Sequence, residues 1–190
     1  MNLFNFFGRF EAFLMYESSA LRKRLALIFL TLAVPGPFKF LFIFILVLKL
    51  VSDSLSEKRL RILFSLPFSR SEIFIYSFLF GFSLIFSASV LGWALFDREN
   101  SAEILKYFIF YSFYFGATLI NSIKTGGKVT FVMLFLAFDL VSPFIAPDIY
   151  LFLSQYSPLY QQNQPIALLL AAAMPAIAYL LFVFERRKKW

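Results

Sequence analysis

The sequence predicts an all-α integral membrane protein. The expected architecture is a six-span helical bundle with an N-terminal interfacial helix, a cytoplasmic helix after the second span and re-entrant helices between spans five and six. Three observations carry this reading. Of 190 residues, 61% are apolar, 29 are Phe and only 15% are charged, which is more apolar surface than a soluble core of this size can hide. The apolar residues come in long runs, several of them long enough to cross a bilayer. Lys and Arg collect in short blocks at the ends of those runs.

In residues 1–24, Leu3, Phe6, Phe7, Phe10, Phe13 and Leu14 recur at helical spacing opposite Asn5, Arg9 and Ser19. One face can sink into the headgroup boundary while the other stays wet, so an interfacial helix is expected; the alternative is an aromatic but soluble helix. The segment mixes Phe with Arg9, Glu11 and Glu17 and lacks the clean apolar stretch of a secretory signal, so no cleaved leader is expected. Arg22, Lys23 and Arg24 form a basic stop suited to anionic lipid.

Spans one and two are assigned to residues 25–35 and 38–52, separated by Pro35-Gly36-Pro37. Each is short for a hydrocarbon core of about 30 Å, so one broken span competes with two joined by a tight turn. Next comes a helix over 56–70. In it Leu60, Leu63 and Phe64 share one face, Lys58, Arg59 and Arg61 point elsewhere, and Pro67 ends the helix. Residues 73–96, 104–121 and 129–146 supply spans three to five, with Lys106 able to snorkel and Asp139, Ser142 and Pro143 late in the fifth. Residues 147–164 hold an apolar island too short to span, read as a re-entrant or interfacial helical pair. Span six is 165–184, with Pro175 as an expected kink, and 185–190 is a basic tail.

Orientation follows from charge. With six spans and both termini cytoplasmic, fifteen of the 18 Lys and Arg lie inside or at the inner boundary, leaving Lys39, Arg98 and Lys106 outside. Treating 25–51 as one span weakens that asymmetry, so six spans in the cell inner (plasma) membrane is the expectation. The same clustering makes the net charge of +7 a topology signal and argues against a nucleic-acid partner.

Chemistry-bearing residues are few. Cys and His are both absent, which removes thiolate nucleophiles, imidazole bases and the usual zinc and haem ligands. No catalytic and no metal-binding residue is assigned. Gly126-Gly127-Lys128 lacks the earlier Gly and the following Ser or Thr of a P-loop and reads as a turn, so no ATP site is expected in this chain. Asp139 is the one acidic residue inside an apolar run. It is either a functional intramembrane carboxylate on a transport path or a group that meets water or caps a bent helix. Arg98, between Asp97 and Glu99, reads as a solvated cluster, and the aromatic residues of 107–115 as lipid-facing or packing groups.

The segment from Glu57 to Phe74, EKRLRILFSLPFSRSEIF, resembles the signature of type-2 ABC transporter permeases through Glu57, Leu60, Ile62, Leu63, Ser65, Pro67, Ser69, Arg70 and Ile73. Lys58-Arg59 stand where that family usually has Gly-Thr. An amphipathic N-terminal helix, six spans and a re-entrant pair before the last span are also family features. The resemblance implies a permease subunit of an ABC exporter that forms a homodimer or heterodimer among membrane lipids. A separate ABC ATPase subunit would bind ATP and Mg, and this chain would hold no cofactor. It further implies that 56–70 is a coupling helix, with Glu57, Leu60, Leu63, Phe64, Pro67 and Arg70 docking onto the ATPase. Two alternatives stand beside it: a membrane subunit like that of the haem-exporter-like cytochrome c maturation system, and a non-transporting docking or assembly protein.

Overall fold

The computed structural model describes residues 3–33, 36, 38–54, 68–96, 101–126, 128–145, 154, 156–161 and 163–184. Among these, every regular element is helical: α1 (Leu3–Ala33), α2 (Phe38–Lys49) with a π-helical extension at Leu50–Ser54, α3 (Arg70–Phe96), α4 (Ser101–Thr125), α5 (Thr130–Ile145) and α6 (Gln164–Phe184). The all-α expectation holds. Two helices, α3 and α6, are apolar and long enough to cross a bilayer. Their 27 and 21 residues reach about 40 and about 32 Å at about 1.5 Å per residue, against a hydrocarbon core of about 30 Å. The chain divides into two compact units, Met1–Glu99 and Asn100–Trp190.

In the first unit, α1 passes straight through the boundary expected between residues 24 and 25. No Gly or Pro lies between Arg9 and Ala33, so nothing in the backbone separates the amphipathic half from the apolar half. The two elements expected from sequence are one helix of 31 residues. It stops at Ala33, two positions ahead of Pro35 in the sequence, and a proline disfavours α geometry in the residue before it. Gly36 then takes a φ of 128°, open to glycine and strained for other residues, and its carbonyl accepts from the Lys39 amide at 3.0 Å to start α2. The Pro-Gly-Pro segment thus separates two helices that pack against each other. Lys39, counted from sequence among the outer residues, is fully buried in this unit, as is Glu17.

α1 and α3 run parallel, with Arg9 beside Glu72, Phe13 beside Tyr76 and Ala33 beside Gly92. A Cβ on Gly92 would lie 2.5 Å from the Ala33 carbonyl oxygen, so the two backbones meet where glycine leaves room.

In the second unit, α4 and α6 are also parallel and form the main contact, centred on Ile109, Ala167 and Ala171. Small residues let the helices close up. A Cβ on Gly116 would fall 2.4 Å from the Met174 carbonyl carbon and 2.6 Å from the Pro175 nitrogen. Pro175 has no N–H to offer the carbonyl of Ala171, four residues earlier. Ser112 Oγ, on α4, donates to that carbonyl at 2.7 Å, so the expected kink site is also the point where the two helices are tied. α5 packs on α4 and leaves Phe131, Leu134, Phe138 and Phe144 exposed.

The expected re-entrant helices lie partly outside the described residues, at 146–153, 155 and 162. Residues 156–161 form turns, closed by the Gln161 amide donating to the Ser157 carbonyl at 3.0 Å. They end with Gln161 in the left-handed region at φ 52°.

The close contact between α4 and α6 makes a direct forecast. Gly116→Ala should force the two backbones apart and lower stability by about 1–3 kcal/mol, seen as a fall in the thermal midpoint of the detergent-purified chain. An unchanged midpoint would mean the helices do not meet at Pro175.

Candidate functional site

The best-defined polar site of the first unit is the start of α3. Ser69 occupies the position before the helix and Glu72 the third helical position, and the two bond reciprocally. The Glu72 amide donates to Ser69 Oγ at 3.2 Å, and the Ser69 amide donates to Glu72 Oε2 at 2.7 Å. This capping box satisfies two amides that a helix start otherwise leaves without partners, and it places a carboxylate at the positive end of the helix dipole. The remaining oxygen, Glu72 Oε1, accepts from Arg9 Nη1 of α1 at 2.9 Å. One buried carboxylate therefore holds the helix start with one oxygen and the neighbouring helix with the other.

An aromatic cluster lies against this bond. Phe68, just ahead of the cap, meets Tyr76 and Phe13 edge-on at 6.1 and 6.2 Å, and Tyr76 also lies 5.5 Å from Phe10 and 5.6 Å from Phe13. Phe13 and Tyr76 are fully buried. Edge-to-face pairs add about 0.5–1.5 kcal/mol each beyond the area they bury, so α1 is fixed to the first two turns of α3.

Of the residues expected to dock a partner, Glu57, Leu60, Leu63, Phe64 and Pro67 lie outside the described residues. Arg70 is the first residue of α3 and is half-buried. The Ser69–Glu72 box was legible in sequence as Ser-x-x-Glu ahead of an apolar run, and went unread. Arg9 could not be found that way, because its partner is 63 residues along the chain.

Asp139 is buried on α5 and accepts from Ser157 Oγ at 2.6 Å. Ser157 Oγ in turn accepts from the amides of Leu159 and Tyr160, and Tyr160 Oη donates to the Asp139 carbonyl at 3.2 Å. Gln161 Nε2 donates to the carbonyls of Lys106 on α4 and Pro158. These bonds fasten the turn ahead of α6 to both α4 and α5.

Comparison with protein-family models, curated proteins and solved structures finds no match to this chain.

Two measurements check these joints. A double-mutant cycle on Arg9→Gln and Glu72→Gln should give a coupling of about 0.5–1 kcal/mol that shrinks in high salt, since the arginine is 46% exposed. Asp139→Ala should lose about 1–3 kcal/mol of stability by removing the acceptor for Ser157, while Asp139→Asn, which keeps one, should lose less than half of that. If the Asn form were as unstable as the Ala form, the charge and not the hydrogen bond would hold the turn.

Proposed function

We propose that this chain is the membrane-spanning permease subunit of an ABC transporter, an exporter, powered by ATP hydrolysed in a separate ATPase subunit. The observation that carries the proposal is the joint at Ser69 and Glu72. The segment 56–67, which bears the resemblance to a coupling helix, leads directly into Phe68 and this cap. From there Glu72 reaches Arg9 on α1, and Phe68 reaches Phe13. A push delivered to the segment enters α3 at its fixed end and passes to α1 through an ion pair and an aromatic cluster.

The reading takes six crossings of the inner membrane with both termini cytoplasmic. Alternating crossings need the first and third helices to run the same way, and likewise the fourth and sixth. The parallel pairs α1 with α3 and α4 with α6 fit that requirement. The exposed apolar faces of α3, α5 and α6, such as Phe86, Phe138 and Leu169, suit contact with lipid.

In this mechanism two permease protomers face each other, each seated on an ATPase. Closure of the ATPases around ATP and Mg displaces the coupling segments, whose grip comes from Leu60, Leu63, Phe64 and Pro67, with Glu57 and Arg70 as polar contacts. Rigid-body tilting of α1 with α3 then opens a path between the protomers. The chain itself supplies no catalytic group. Its role is to convert displacement into access.

Leu63→Asp with Phe64→Asp should abolish stimulation of the partner's ATP hydrolysis in reconstituted vesicles and leave the chain in the membrane fraction. Unaltered stimulation would overturn the coupling role. Purification without any ABC ATPase would favour a docking or assembly protein.

A further inference from the structure

The second unit contains a groove of about 300 Å³ along α4 and α5, floored by Phe113, Ala117, Ile120, Phe131, Phe135 and Met174. Its polar lining is confined to Asn121 and Lys124, one turn apart near the C-terminus of α4. The turn that follows is tightly built. Asn121 Nδ2 donates to the Lys128 carbonyl at 2.8 Å, and Thr125 Oγ lies 2.7 Å from the carbonyls of both Asn121 and Lys128. Gly126 takes a φ of 70°, which turns the chain back. These bonds bring the backbone of Lys128 to the end of the groove where Lys124 sits. Both lysines are exposed, and among the described residues neither pairs with a carboxylate.

We infer that this groove holds one anionic membrane lipid, its acyl chain on the aromatic floor and its phosphate on Lys124 and Lys128. The charge pattern selects this occupant. A free phosphate has no use for an apolar trough of this size, and a zwitterionic lipid gains little from a pair of exposed lysines at its end. An amphiphile with an anionic head matches both ends. In the orientation proposed above, Lys124 and Lys128 face the cytoplasmic leaflet, where anionic lipids collect. The inference therefore rests on the membrane-spanning reading of the chain.

Native mass spectrometry of the full chain, purified in mild detergent and given equal phosphatidylglycerol and phosphatidylcholine, tests it. The chain should retain phosphatidylglycerol in preference. Removing both charges in K124Q/K128Q should erode that preference by about fivefold per lysine, the gain that one basic side chain near an anionic surface supplies. R186Q/R187Q, matched in net charge, should keep the preference. Ala117→Phe, which fills the groove, should lower retention of both lipids. Equal erosion in the two charge variants, preference unchanged in K124Q/K128Q, or a lipid-free species of two chains would overturn the site. Alkaline carbonate extraction separates the two levels of the argument. Release of the chain into the supernatant would overturn the membrane reading together with the site, whereas a carbonate-resistant chain with no lipid preference would overturn the site alone.

Discussion

A hydrogen-bonding group withdrawn from water has to be answered by another part of the protein, and in a chain this apolar each answer fixes one element to the next. Pro175 leaves the Ala171 carbonyl without its helical donor, and Ser112 from α4 supplies one. Asp139 is buried, and Ser157 meets it from the turn ahead of α6. The first amides of α3 are answered by Ser69 and Glu72, and the spare oxygen of Glu72 is answered by Arg9. Within each unit, helices that are individually featureless rods of Phe, Leu and Ile acquire a fixed register from a few polar atoms.

The capping box also holds the first turn of α3 against fraying. Arg9 and the ring cluster of Phe10, Phe13, Phe68 and Tyr76 tie α1 to the same end of α3. Because α1 is a single helix of 31 residues, the element that meets Glu72 at Arg9 also meets Gly92 at Ala33.

Glycine and alanine do the complementary work. Gly92 and Gly116 stand where one helix backbone touches another, and Ala167 and Ala171 line the α4–α6 contact. Where Phe and Leu stand instead, as on the open side of α5, the side chains stay exposed.

Composition and periodicity by themselves determined that the chain is helical, that apolar helices long enough to cross a bilayer occur in it, and that Pro35-Gly36-Pro37 and the turn at Gly126 interrupt it. Those properties are local, set by the side chains within a few turns of one another. The capping box was equally local and equally legible. Tertiary structure alone decided that Arg9 serves Glu72, that Ser112 serves the carbonyl freed by Pro175, that Ser157 donates to Asp139, and that Lys39 is covered. Each depends on residues between 18 and 63 positions apart, or on packing around a single side chain, and no periodicity along one helix encodes which distant partner will arrive opposite it.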